Sequence, residues 1–336
     1  MISYFYIFVC CLAQISEGEL GKYTFSSVEM AVPVKITLYA ESETLAAQAA
    51  EAAFWRFRDL NARLSDYRAE SELRRFCDEA YSGEFRRVSQ DLWNVLREST
   101  RVAKLSDGAF DPTVGQVVRL WRRARMQKKL PPEAEITAAL ETVGYENLLF
   151  DEDNRAIALV RQGTHSPVRI DLGGIAKGYA IDAAIHTLRT YGITRVLVDA
   201  GGDVGVGDPP PDADAWKIAV VSPADENQSA EFLYVSNCGL ANSGDLSQFL
   251  EIDGVRYSHL VDPKTGHGLT HRATVSVTAP TAVEADALAS AVSVLGPVLG
   301  ISLVETLPGV ETSILQPAEN EAVTATESSG WKRYVR

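Results

Sequence analysis

Apolar and polar residues alternate from Ala31 to Ala40 (AVPVKITLYA), the period of a half-buried strand. From Glu43 to Tyr67 the spacing lengthens to that of an alanine-rich helix carrying Phe54, Trp55, Phe57, Leu60 and Leu64. Further helices are predicted over Gln90–Leu105, ended by Ser106-Asp107-Gly108, and from Val114 to Lys129, stopped by Pro131-Pro132. A fourth helix follows to Val143. Short apolar runs then predict strands at Asn147–Phe150, Ala156–Arg161 and Val168–Ile170. The helical period returns from Ala176 to Tyr191, followed by strands at Arg195–Asp199, Trp216–Val221, Phe232–Val235, Arg256–Val261 and Thr274–Thr278. A last helix spans Ala282–Leu295, and the polar stretch Gln316–Gly330 reads as a poorly ordered loop. No internal repeat is present. Many strands with unevenly placed helices predict an α+β fold with mixed or antiparallel sheets flanked by helices.

Composition narrows the function. Apolar residues make up 46% and charged residues 23% of the chain, ordinary for a globular protein. The net charge of -13 is spread along the chain and argues against nucleic acid, which needs clustered Lys and Arg. An acidic protein that takes an anionic nucleotide needs local help from backbone N–H groups, a placed Lys or a metal. The 4 cysteines lack zinc-ligand spacing. Cys77 and Cys238 are expected as buried free thiols, with a disulfide between them as the alternative.

Ile2–Ala13 is apolar but too short to span a bilayer. It reads as the core of a secretory signal, or, since no Lys or Arg precedes Lys22, as a buried strand or a mis-assigned start. The chain is accordingly divided into residues 1–20, an apolar segment, and residues 21–336, the functional domain.

Four segments carry candidate chemistry. Arg169-Ile170-Asp171-Leu172-Gly173-Gly174-Ile175-Ala176-Lys177-Gly178 is a strand, a Gly turn and a helix start. Such a turn attracts anions, and Lys177 opposes its own helix dipole, which suggests an anionic neighbour. The plainer reading is a strand-to-helix turn with an exposed Lys. Asp199-Ala200-Gly201-Gly202-Asp203 and Asn242-Ser243-Gly244-Asp245 are two further turn-like segments. His259, before Pro263-Lys264-Thr265-Gly266, is a general base or a structural histidine. Asp286 and Ser290 share one helix face, as hard-oxygen ligands for Mg²⁺ or as the polar edge of a packing helix.

Taken in order, these segments resemble the FAD:protein FMN transferase family, called ApbE. The resemblance runs from about Val28 to the C-terminus. It rests on Leu64-Ser65-Asp66-Tyr67 with Ser71-Glu72-Leu73, Asp107–Pro112, DLGGIAKG with Asp182, AGGD, and SHLVDPKTG followed by EADALAS. It implies that Met30, Tyr67, Ala109, Phe110, Asp111, Asp171, Lys177 and the backbone of Leu260 contact FAD. It implies Mg²⁺ ligands at the Gly174 and Ala289 carbonyls, the Asp286 carboxylate and the Ser290 hydroxyl, with His259 as the base. The family's usual Met-Gly-Thr is Met30-Ala31-Val32 here, Ser290 stands where Thr is common, and Cys77 stands where Asn is common.

The implied reaction is Mg-dependent transfer of FMN from FAD to a Thr or Ser hydroxyl of an acceptor flavoprotein, with release of AMP. A pyrophosphatase giving FMN and AMP, or a non-catalytic FAD-binding protein, are the alternatives. Acceptors in the family imply export to the periplasm or cell envelope, with membrane association through the N-terminal segment or the acceptor. Without a signal the protein would be cytoplasmic.

Overall fold

The computed structural model describes residues 20–79, 82–160, 167–220, 231–244, 249–317 and 323–336. The apolar segment Ile2–Ala13 with Cys10 and Cys11, and likewise Arg161, Val221 and Asp245, lie outside the described residues.

The chain begins with a hairpin of β1 (Gly21–Glu29) and β2 (Val32–Ala40). Helix α1 (Glu43–Leu64) follows, capped by Ser42, whose hydroxyl accepts from the Leu45 N–H. It buries Ala46, Ala50, Phe54, Phe57 and Leu64 on one stripe. Helix α2 (Glu72–Glu79) and the short β3 (Arg86–Arg87) lead into α3 (Gln90–Leu105), capped by Ser89. Helices α4 (Gly115–Gln127) and α5 (Glu133–Leu140), then strands β4 (Leu148–Asp151) and β5 (Ala156–Leu159), complete the first half.

Helix α6 (Ala176–Thr190) opens the second half, followed by β6 (Val196–Ala200), β7 (Asp203–Val206), β8 (Trp216–Val220) and β9 (Glu231–Val235). Then come β10 (Cys238–Gly244), β11 (Phe249–Ile252), β12 (Val255–Ser258) and β13 (Thr274–Ala279). Helix α7 (Ala282–Val304), β14 (Glu311–Pro317) and β15 (Val323–Glu327) end the fold.

An eight-stranded sheet in the order β1-β2-β6-β7-β10-β13-β14-β15 is the frame. Its neighbours all pair antiparallel. The fold is therefore α+β, as expected, with antiparallel sheets; the parallel pairing among the described residues is the isolated bridge Val114–Arg169. That bridge is all that forms of the strand expected over Val168–Ile170. Helices α1, α6 and α7 pack on one face of the large sheet and enclose the main core.

Several expectations are corrected. The first helix stops at Leu64, because the Ser65 hydroxyl accepts from the Tyr67 and Arg68 N–H groups and turns the chain. Asn242-Ser243-Gly244 is not a turn but the end of β10, paired with β13. The polar region after Gln316 contributes β15, an edge strand whose side chains are exposed or half-buried and whose alternation of Val323 and Ala325 with threonines is too short and too weakly apolar to stand out. Helix α7 breaks at Gly296 (φ 70°) before Pro297, close to its expected end, and then resumes to Val304. By length and composition α7 could cross a membrane, yet it packs on α6, β10 and β13 and holds Asp286 5% exposed.

Candidate active site

The turn between Arg169 and α6 is tied down by its first carboxylate. Asp171 Oδ1 accepts from the Gly173 N–H at 2.7 Å, and its own N–H donates to the Pro112 carbonyl at 2.8 Å. Asp171 Oδ2 accepts from Arg122 Nη2 at 2.6 Å. Arg122 also pairs with Asp66 and lies 4.1 Å from the centroid of the Tyr67 ring. Burial pushes the Asp171 carboxyl up, Asp66 adds to the rise, and Arg122 opposes it.

Helix α6 starts without a side-chain cap of its own. One of its free first-turn N–H groups, that of Gly178, donates to Asp286 Oδ2 on α7 at 3.0 Å. Asp182 on α6 returns the favour at the start of α7, accepting from the Ala282 and Val283 N–H groups at 3.0 and 2.9 Å. The helices can approach this closely because Gly178 has no Cβ; one would sit 2.2 Å from the Ala282 carbonyl oxygen.

Lys177 has the anionic neighbours that its place in the helix suggested. They belong to the protein: Nζ pairs with Asp203 and lies 3.6 Å from Asp286 Oδ1. Burial lowers the ammonium's proton affinity, but Asp286 and then Asp203 more than reverse this, so its pKa is raised. Asp203 is held in turn by the Asn242 N–H at 3.1 Å. Lys177 is thus a compensated charge at the site rather than a free cation awaiting phosphate.

The Gly174 turn meets α7 from the other side. A Cβ on Gly174 would lie 2.6 Å from Ser290 Oγ and 3.4 Å from the Phe110 ring. The Asp286 carboxylate, the Ser290 hydroxyl and the Gly174 backbone therefore come to one place. No group of three or more His, Cys, Asp and Glu with metal-site geometry occurs among the described residues. The carboxylate, the hydroxyl and the Gly174 backbone offer oxygen donors only, a hard set that fits Mg²⁺ and not zinc.

The loop after α3 is cross-linked by hydrogen bonds to its own side chains. The Ser106 hydroxyl accepts from the Phe110 N–H at 3.1 Å. Asp111 accepts from the Thr113 N–H and hydroxyl at 2.8 and 2.6 Å and from the Tyr145 N–H at 2.9 Å. That carboxylate holds its own loop as well as facing the site. His259 follows β12 on the loop to Pro263. The Leu260 N–H donates to Ser258 Oγ at 3.1 Å, and its carbonyl accepts from the Leu269 N–H at 3.0 Å. A carbonyl keeps a second lone pair for another donor.

A cavity of about 420 Å³ joins these pieces. Its walls include Tyr67, Ala109, Phe110, Asp111, Asp171, Gly174, Lys177, His259, Leu260, Asp286 and Ser290. Two expected site residues stand outside that wall. Met30 is in the two-residue turn between β1 and β2, packed against the core. Ala289 is buried within α7, its carbonyl accepting from Ser293 Oγ at 2.8 Å. Arg122, Asp203 and Asn242 also line the cavity and were missed as site residues. The AGGD and NSGD segments pointed toward Asp203 and Asn242; nothing in the local pattern around Arg122 marked it. Cys77 and Cys238 are free thiols, the first buried and the second half-buried, and burial pushes both up to about 11.

Residues 30–314 match the model of the ApbE family. The FAD:protein FMN transferase of Haemophilus influenzae is 32% identical over 245 residues, 71% of this chain and 70% of that protein. The Vibrio cholerae protein of the same name is 32% identical over 251 residues, 74% and 73% of the two chains. Among solved structures, the flavin transferase ApbE from Vibrio cholerae superposes with a TM-score of 0.81 at 28% identity, covering 94% of this chain and 99% of that one. The ApbE protein of Thermotoga maritima also gives 0.81, at 30% identity and 94% and 100% coverage. The chain belongs to the ApbE family.

Proposed function

We propose that the protein transfers FMN from FAD to a Thr or Ser hydroxyl of an acceptor flavoprotein and releases AMP. The observation that carries this reading is one cavity walled by Asp171, Gly174, Lys177, His259, Asp286 and Ser290, drawn from both halves of the chain. The names of the relatives support the donor and the reaction class.

In this reading FAD lies against Tyr67, Ala109–Asp111, Asp171 and Leu260, with Met30 supporting the pocket from the hairpin turn. Asp286, Ser290 and the carbonyls of Gly174 and Ala289 would hold Mg²⁺, which when bound neutralises the pyrophosphate and assists its cleavage. His259 takes the proton of the acceptor hydroxyl. The hydroxyl oxygen forms a bond to the FMN-side phosphorus. The bond from that phosphorus to the bridging oxygen breaks, and the oxygen keeps the electron pair and leaves as part of AMP. Lys177, kept charged by Asp203 and Asp286, holds these two carboxylates in place, and the positive charge against the pyrophosphate would come from the metal.

The test is the intact mass of an FMN-binding-domain acceptor after incubation with the protein, FAD and Mg²⁺. An acceptor heavier by one FMN is expected. Free FMN and AMP with an unmodified acceptor would make the protein a pyrophosphatase, and unchanged bound FAD would make it a binding protein. Replacing His259 with Ala should leave FAD binding intact and slow transfer by roughly a hundredfold or more. Undiminished transfer by that variant removes His259 as the base.

A further inference from the structure

Beside the FAD cavity lies a second, larger concavity of about 970 Å³. The two share Tyr67, Arg122 and Arg125 as a common wall. The charged residues lining the second are Arg74, Arg119, Arg122, Arg123, Arg125 and Arg169 against a single carboxylate, Asp66. Asp66 is already bound to Arg122. Asp78 serves Arg169 and lies 3.7 Å from Arg74, and Glu135 serves Arg123. Arg119 and Arg125 have no carboxylate partner among the described residues, and the Arg125 Nη1 is buried without a hydrogen bond. Partial burial and the nearby Arg169 and Arg74 charges hold Arg119 below its usual proton affinity.

So dense a cationic wall is unexpected on a chain of net charge -13. Mutual repulsion of guanidinium groups costs stability, and two of them gain no ion pair among the described residues to offset it. A ligand that supplies carboxylates would offset it, since arginine is well suited to bind them in two-pronged fashion. The groove shares the wall of Tyr67, Arg122 and Arg125 with the cavity where the hydroxyl must arrive, and it is more than twice that cavity's size.

We propose that this arginine groove seats an acidic segment of the acceptor protein that flanks its modified Thr or Ser. This rests on the transferase reading above. It gives the groove a role in acceptor choice: its arginines attract an acidic flank that the general negative charge of the protein would otherwise repel, and they repel a basic one.

The test uses the full chain saturated with FAD and two fluorescein-labelled Thr-containing peptides, one with three Asp beside the Thr and one with three Asn. Fluorescence anisotropy should show the Asp peptide binding roughly tenfold more tightly, with the advantage fading as salt rises. Arg119, exposed and outside the FAD cavity, is the probe position. Arg119→Glu should remove the preference and Arg119→Lys should retain most of it, with the FAD dissociation constant unchanged in both. Equal binding of the two peptides, or an Arg119→Glu variant that keeps the preference, overturns the proposal. Displacement of the peptide by inorganic phosphate or AMP at concentrations near the peptide's own dissociation constant overturns it too, since the groove would then be a phosphate site. Because peptide binding is read without turnover, a failure of the transferase reading shows separately, as an acceptor that never gains FMN.

Discussion

Gly174 and Ser290 sit so close that a Cβ on the first would lie 2.6 Å from the hydroxyl oxygen of the second. The glycine is required by contact with α7, not by backbone conformation, since its φ is outside the left-handed region. Gly174→Ala should push the turn off Ser290, costing about 1–3 kcal/mol by overpacking and abolishing most transfer. Gly174→Ala with Ser290→Ala should recover part of the stability, by about 1 kcal/mol in a double-mutant cycle, but not the activity. Urea unfolding of the four proteins measures this; additive losses would mean that the two residues do not meet.

The Lys177 cluster makes a different prediction. Asp203 and Asp286 are both nearly inaccessible, at 2% and 5% exposure, and Lys177 is the cation placed between them. Lys177→Met would leave two buried carboxylates facing each other. A loss of up to about 3 kcal/mol is expected, because the uncompensated charges remain after their partner is gone. Lys177→Met with Asp203→Asn should be more stable than Lys177→Met alone. If the single variant unfolds at the wild-type urea midpoint, the ammonium is not what holds the carboxylates together.

How far the sequence alone could reach follows from the kind of signal each element carries. Helices α1, α3 and α6 have apolar stripes, and the first part of α7 is a long run of small and apolar residues buried nearly all round, so these were readable. Strand β15 is five residues long with only Val323 and Ala325 on its apolar side, and β7 is only four residues long, so period offered little. The Gly174 and Asp286 segments were readable as chemistry in company with others, but not as one place. Their union depends on α6 and α7 crossing at Gly178, a contact between residues distant in the chain. Arg122 shows the same limit more sharply. On α4 it is one of several arginines, and its salt bridges to Asp66 and Asp171 exist only in the folded chain.

The hairpin turn at Met30-Ala31 departs from the family's usual glycine, and the structure shows what that does. Glu29 pairs with Val32, leaving a two-residue loop in which Met30 and Ala31 have φ of 50° and 63°. A turn with two positive φ angles favours Gly, and each side chain held there costs roughly 1–2 kcal/mol. Ala31→Gly relieves that strain, less the ~0.4–1 kcal/mol that Gly's greater freedom adds to the unfolded chain. A gain near 1 kcal/mol, read as a higher urea midpoint, is expected. A midpoint at or below wild type would show that Ala31 is unstrained.

Asp182 gives the fold a pH signature. It accepts two N–H groups from the start of α7, yet burial outweighs them and pushes its carboxyl up to about 6. A carboxyl in the unfolded chain titrates near ~3.9, so between about pH 4 and 6 the folded protein holds this proton and the unfolded one does not. Folding stability from this group therefore falls as pH rises through that window, and the cost is fully present above it. Asp182→Asn removes the titration while keeping one acceptor for the helix. Its stability relative to wild type should rise by on the order of 2 kcal/mol from pH 4 to 6.5 and stay flat beyond. Asp286, also raised by burial, titrates in both proteins and cancels in the difference. Parallel stability curves for the two proteins would mean that Asp182 is ionised throughout, with its two N–H donors and not burial in control.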